Sequence, residues 1–173
     1  NQGQVYESFN LASLWELPVV FLIENNKYGM GTSVARAASG GGLYKRGEGF
    51  GIPGKQVDGM DVVAVMNEGI EAAAYARENG PVILEMETYR YRGHSMSDPA
   101  KYRSREEVSK MREEHDPIEG LKARALAAGL LSEEGMKAID QDVRAVVAEA
   151  AEFAQQSPEP DPAELYTDIL LAS

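Results

Sequence analysis

The chain has no cysteine. Disulfides, zinc–thiolate centres and thiol nucleophiles are therefore excluded, and the composition fits a reducing compartment. Positive charge is scarce: 17 Lys and Arg stand against 28 Asp and Glu, for a net charge of −11. That balance argues against nucleic acid or an anionic membrane as the main partner. No apolar run approaches the roughly 18 residues that a membrane span needs. A glycine-rich strand-to-helix phosphate loop is missing too, which counts against a plain nucleotide-binding domain. The sequence starts at Asn1 without a methionine, and residues 1–17 already read as the body of a helix, with Val5, Phe9, Leu11, Ala12 and Trp15 on an apolar side. We read this as a fragment whose N-terminal part is missing. What remains, 173 residues of which 43% are apolar and 26% charged, suffices for one domain with a core, or one domain plus an appendage.

Hydrophobic patterning predicts a helix over about 3–16, stopped before Pro18, and then a strand at Val19–Ile23. That run is continuous, apolar and rich in β-branched residues, as in a strand covered on both faces. Residues 29–54 are glycine-rich and read as a long irregular loop, a type more often functional than idle. Asp58-Gly59-Met60-Asp61 is a turn ending in a helix N-cap. Behind it Val62, Val65, Met66, Ile70, Ala73 and Ala74 recur at helical spacing. Gly80-Pro81 stops that helix, and a second strand follows to Glu87 with Val82, Leu84 and Met86 on one face. A crossover of this length means parallel pairing. Beyond residue 100 the pattern predicts helices only. Arg103–Glu114 is charged, Asp116-Pro117-Ile118-Glu119 is a capped start with Gly129 as its stop, and Ser132 opens a helix with Met136, Ile139, Val143, Val146, Val147 and Ala150 on one face. Pro158, Pro160 and Pro162 form a stiff link to a short last helix. The expected fold is α/β: a parallel-sheet domain over 1–100 and a helical C-terminal region over 101–173.

Ligands of open parallel sheets bind beyond the carboxyl ends of the strands. The first strand ends at Glu24-Asn25-Asn26 and the second runs into Thr88-Tyr89-Arg90-Tyr91-Arg92-Gly93-His94-Ser95. Parallel pairing puts both stretches on one edge. Asn26 offers a neutral side-chain oxygen and the turn Asn26–Gly31 offers carbonyls, which are hard-cation ligands of the magnesium type. Arginine and histidine nearby suit anionic oxygens. A magnesium diphosphate fits that set, although Glu24 is expected to point into the sheet or a helix and so to leave the metal without a carboxylate. Structural readings stand beside these: the Asn-Asn pair as turn chemistry, His94 as a hydrogen-bonding residue of the scaffold, His115 as a surface or cap residue, and Trp15 as packing.

Two segments, NQGQVYESFNLASLWELPVVFLIENNKYGMGTSVARA and TYRYRGHSMSDPAKYRSREE, carry a resemblance. They are similar to the alpha subunits of the 2-oxo acid dehydrogenase complexes, those of the pyruvate dehydrogenase component in particular, and the likeness runs through VDGMD and the helical tail. Thiamine diphosphate enzymes carry a signature that begins Gly-Asp-Gly and ends Asn-Asn. Asn25-Asn26 matches its end, and its beginning would lie upstream of Asn1 and supply the missing carboxylate. The resemblance implies that Asn26 ligates magnesium through its side-chain oxygen and Tyr28 through its carbonyl. It implies that His94 is the catalytic loop histidine beside the cofactor diphosphate and the substrate. Ser95 matches the position that mitochondrial members phosphorylate, where a charge near −2 would repel a bound diphosphate. Asp98, Tyr102 and Arg103 match residues that order this loop. Ala100-Lys101-Tyr102 departs from the animal pattern, lacking its second regulatory serine and one residue of length, which points to a bacterial protein without a kinase.

The implied activity is oxidative decarboxylation of pyruvate with transfer of the acetyl group to a lipoyl group. The implied cofactors are thiamine diphosphate and Mg2+. The implied partners are a beta subunit, in an α2β2 heterotetramer, and a lipoyl-bearing dihydrolipoamide acyltransferase core. The expected location is the bacterial cytoplasm, or the mitochondrial matrix in a eukaryote. Such a chain holds part of a site and is expected to be inactive alone. Branched-chain 2-oxo acid or acetoin dehydrogenase alpha subunits are the nearest rivals, and a non-catalytic assembly module is the rival of another class.

Overall fold

A computed structural model describes residues 2–168; Asn1 and residues 169–173, the outer ends of the two expected regions, lie outside the described residues. The chain opens with helix α1 (Gly3–Leu14) and strand β1 (Val20–Asn25). A small hairpin of β2 (Tyr28–Gly29) and β3 (Thr32–Ser33) leads into a four-residue helix α2 (Val34–Ala37) and a 3-10 helix over Leu43–Phe50. Then come β4 (Gly54–Asp58), α3 (Val62–Asn79) and β5 (Val82–Glu87), followed by α4 (Arg105–His115), α5 (Pro117–Ala127), α6 (Glu133–Gln156) and a 3-10 turn over Pro162–Tyr166. The fold is α/β with a parallel sheet, as expected. Its contacts form two compact units, one ending at Arg124 and one starting at Ala125.

The sheet has the order β1-β5-β4, and both pairings are parallel. Asn25 and Asp58 both sit opposite Glu87, so all three strands end on one edge. Two expectations need correction. Residues 29–54 are not an irregular loop but hold the hairpin, α2 and the 3-10 helix, and β4 is a third strand beyond the two read from the sequence. β4, GKQVD, buries only Val57, so it lacks the apolar run that marks a covered strand.

β5 is the central strand, and Val82 through Met86 are all buried. On one face Val82, Leu84 and Met86 pack with Val57 and with Ala72 and Ala76 of α3. On the other, Ile83 packs with Phe9 of α1 and with Ile52, bordered by Phe21, Ile23, Tyr44 and Phe50. The 3-10 helix lies close because Gly47 lacks a side chain: a Cβ there would sit 2.6 Å from Ile83 Cδ1 and 2.9 Å from the Ile52 carbonyl. Ser13 Oγ donates to the Phe50 carbonyl at 2.7 Å and ties α1 to this helix.

α3 begins where the sequence places it. The Asp61 carboxylate accepts the N–H groups of Val63 (2.9 Å) and Ala64 (3.2 Å), which satisfies orphan donors of the first turn. Its buried face differs from the predicted stripe: alanines 72 and 76 allow close approach to the sheet, while Val62, Met66 and Ile70 are exposed. α4 starts at Arg105 with Ser104 as its cap, so Arg103 belongs to the preceding loop. Asp116 caps α5 through Ile118 and Glu119 N–H.

In the second unit α6 is capped by Ser132, whose Oγ accepts from Gly135 N–H. Its predicted apolar face, including Ile139, Val143, Val146 and Val147, is exposed. Among the described residues no helix is long and apolar enough to cross a membrane.

Candidate functional site

The carboxyl edge of β1 ends in two consecutive side-chain-closed turns. Asn25 is buried, and its Oδ1 accepts from Lys27 N–H at 3.0 Å. Asn26 Oδ1 accepts from Tyr28 N–H at 3.1 Å. Between them Lys27 takes a left-handed backbone, φ +69°, a conformation costly for a side chain with a Cβ unless its surroundings fix it. They do: Val34 N–H donates to the Lys27 carbonyl at 2.9 Å, and the Lys27 ammonium pairs with Glu87 at the end of β5. The turn-chemistry reading of the Asn-Asn pair is thus correct as geometry. It leaves the Asn26 oxygen a second lone pair.

Glu24 is exposed, which corrects the expectation that it points inward. The buried carboxylate is Glu85 of β5, 1% exposed. Its Oε1 accepts from Asn25 Nδ2 at 2.7 Å and its Oε2 from Tyr44 N–H at 3.0 Å. Sequence patterning does not mark Glu85; the signal it offers is an acidic residue flanked by Leu84 and Met86 within the run 82–86.

The second stretch, 88–104, leaves β5 on the same edge, with Thr88 N–H donating to the Asn25 carbonyl at 3.0 Å. Asp98 organises it. Oδ2 accepts from His94 N–H (2.7 Å) and from the Tyr102 hydroxyl (2.7 Å), and Oδ1 accepts from Ala100 N–H (2.8 Å). These donors, led by the His94 N–H, push the Asp98 carboxyl down to about 2. Gly93 is needed here, because a Cβ would meet the Asp98 carbonyl at 2.5 Å. Arg103 donates to the carbonyls of Arg90 and Arg92, and its guanidinium lies 5.2–5.5 Å from the ring centroids of Tyr28, Tyr89 and Tyr102. Arg90 joins the loop to the hairpin through the Met30 carbonyl (2.6 Å) and the Tyr102 hydroxyl (2.8 Å), and the Tyr28 and Tyr102 rings stand 5.1 Å apart.

Of the predicted site residues, Tyr28, Asp98, Tyr102 and Arg103 therefore form one contact group, with Asn26 attached through Tyr28 N–H. His94, Ser95, Met96 and Ser97 form an exposed tip above it. Ser95 Oγ lies 3.0 Å from Ser97 Oγ. No hydrogen bond among the described residues joins the His94 or Ser95 side chain to Asn26 or Tyr28. His115 is the exposed last residue of α4, and Trp15 is exposed at the end of α1. At the sheet edge Lys27, Asp58, Glu87, Thr88, Tyr89 and His115 help to line a cavity of about 510 Å³. No group of three His, Asp or Glu side chains able to hold a metal occurs among the described residues.

A family model described as "Dehydrogenase E1 component" matches residues 1–163. Among curated proteins, the pyruvate dehydrogenase E1 component subunit alpha of Rhizobium meliloti is 63% identical over 99% of this chain and 49% of that protein. The protein of the same name from Zymomonas mobilis is 56% identical over 99% of this chain and 48% of its own length. A mitochondrial counterpart from Solanum tuberosum is 50% identical over 98% of this chain and 43% of its own. The chain thus spans about half the length of the curated relatives it matches. Matched along nearly all of its residues, this chain belongs to the dehydrogenase E1 component family.

Proposed function

We propose that this chain is the diphosphate-holding part of the alpha subunit of a thiamine diphosphate-dependent pyruvate dehydrogenase. That enzyme oxidatively decarboxylates pyruvate and passes the acetyl group to the lipoyl group of a dihydrolipoamide acyltransferase core. The observation that carries the reading is the Asn25–Tyr28 turn at the carboxyl edge of a parallel sheet, faced by an arginine- and tyrosine-rich loop. The names of the relatives favour pyruvate over branched-chain acids or acetoin.

In this reading Asn26 Oδ1 and the Tyr28 carbonyl hold Mg2+. The donor set fits: both are neutral hard oxygens, and the left-handed Lys27 between them fixes their spacing. The loop fits an anion. It brings the guanidinium groups of Arg90 and Arg103 to the same edge of the sheet as the Asn26–Tyr28 turn, where fixed positive charge favours anionic oxygens. In this reading His94, on the exposed tip, meets the diphosphate and the substrate as the catalytic loop histidine, while Asp98, Tyr102 and Arg103 hold the base of that tip. Ser95 on the same tip is the position where an added phosphate would oppose the diphosphate. Thiamine diphosphate, when bound, supplies the electron sink that decarboxylation of a 2-oxo acid requires.

The proposal includes a beta subunit in an α2β2 assembly and a division into a cofactor-side segment, 1–100, and a helical region, 101–173. It includes the bacterial cytoplasm as location, or the mitochondrial matrix in a eukaryote. The test is turnover by the complete alpha chain with its beta partner, given thiamine diphosphate, magnesium and an artificial electron acceptor. Reduction with pyruvate, and little with 2-oxoisovalerate or acetoin, is expected. Preference for another substrate would move the chain to a sister enzyme, and a folded assembly inert toward all three would make it an assembly module.

A further inference from the structure

We propose that Glu85 is the positioning residue of the metal-holding turn: its buried carboxylate sets the orientation of the Asn25 amide and, through it, the placement of Asn26 and Tyr28. The inference rests on the reading of Asn26 and Tyr28 as magnesium donors.

Glu85 lies in the centre of the central strand and is 1% exposed. Burying a carboxylate is expensive, and an apolar residue of similar volume is often the more stable choice at such a position. No ion pair to Glu85 occurs among the described residues. Its compensation comes from two hydrogen bonds, one per oxygen, to Asn25 Nδ2 (2.7 Å) and Tyr44 N–H (3.0 Å). A carboxylate only accepts. It therefore holds the Nδ2 end of the Asn25 amide inward and turns Oδ1 toward Lys27 N–H, 3.0 Å away. That bond stabilises the left-handed backbone at Lys27, φ +69°. The next peptide then closes through Asn26 Oδ1 and Tyr28 N–H at 3.1 Å. Glu85 stands two removes behind the metal donors and acts on them through Asn25 and Lys27, one step further out than the direct partners of ligands whose loss costs about 10–100-fold in metal affinity.

Glutamine in place of Glu85 keeps the volume but carries an NH2 that must face one of two N–H donors. The exchanged pair, Asn25→Asp with Glu85→Gln, restores complementarity. The amide oxygen introduced on β5 would accept from Tyr44 N–H, and the amide NH2 would donate to the carboxylate introduced on β1. The second oxygen of that carboxylate would accept from Lys27 N–H. The experiment measures the magnesium concentration for half-maximal thiamine diphosphate uptake, by calorimetry, on the complete alpha chain assembled with its beta partner. Turnover at saturating magnesium is read in parallel. Glu85→Gln is expected to raise that concentration by about 3–10-fold, at or below the lower end for a direct partner of a ligand, with most of the turnover recovered at high magnesium. The exchanged pair returns it toward the wild-type value. Ile83→Val, a core change on the same strand, lowers thermal stability without moving it, which separates positioning from general packing.

A wild-type magnesium requirement in Glu85→Gln, together with a raised one in Asn26→Ala, would overturn the role of Glu85 alone. An unchanged requirement in Asn26→Ala would overturn the metal-site reading beneath it. If Glu85→Gln fails to assemble, the exchanged pair decides. Assembly with near-wild-type magnesium dependence upholds the proposal, and a weakened or unassembled pair overturns it.

Discussion

Asp98 collects three donors on two oxygens and so closes the loop beneath His94–Ser97. Its carboxyl is held at about 2, against an ordinary value of 3.8. A depressed carboxyl stabilises the folded loop above the ordinary value, and that stabilisation is lost as pH falls through the lowered one. Hydrogen exchange within 94–103 is thus expected to accelerate as pH drops from about 4 toward 2, after allowance for intrinsic rates. In Asp98→Asn the acid step should vanish, and trypsin should cut at Arg92 and Lys101 severalfold faster at neutral pH. Unchanged cleavage would show that Asp98 does not hold the tip. The loop residues were readable from the motif; the three-donor geometry was not, because it depends on the left-handed turn at Ala100 (φ +50°) and the close approach of Gly93. The burial of Glu85 is not legible in the sequence for a different reason. Its burial follows from β5 being central, and that required knowing of β4.

At the scale of elements, the parallel pairing, the Asp61 cap and the Asp116 start of α5 were legible because each rests on local chemistry. The covered face of α3 and the exposure of the apolar stripe of α6 were not. Periodicity marks an apolar stripe without saying what covers it, and on α3 the sheet takes the alanines instead. Two predictions test this layer. Ile83, 0% exposed between α1 and the 3-10 helix, should lose about 2–5 kcal/mol of unfolding free energy on change to Ala, measured by denaturant titration. A loss under about 1 kcal/mol would mean that this face of β5 is not core. Asp61→Ala removes a cap and an ion pair with Arg124 at 3.0 Å. It should lower Tm by about 2–4 °C, whereas Asp61→Asn, which keeps a capping oxygen, should lower it less.

At the scale of the whole molecule, the chain carries a net charge of −11 and exposed apolar faces on α3 and α6. Contiguous apolar surface of this kind marks interaction sites. The chain spans about half the length of its relatives; in the proposed function it supplies the turn and the loop, and other parts of the enzyme complete the site. The 173 residues alone should therefore show no turnover and bind thiamine diphosphate only weakly in calorimetry; tight binding by the isolated chain would refute that division of labour.

The Asn25–Tyr28 turn is the central element of the proposed site, and Mn2+ in place of magnesium reads it directly. Electron paramagnetic resonance would follow Mn2+ uptake by the complete alpha and beta assembly with thiamine diphosphate, for the wild type and Asn26→Ala. One tightly held ion per site in the wild type, weakened at least about tenfold in the variant, is the predicted result. Equal Mn2+ affinity in both would contradict the assignment of Asn26 to the metal, and with it the site proposed for this chain.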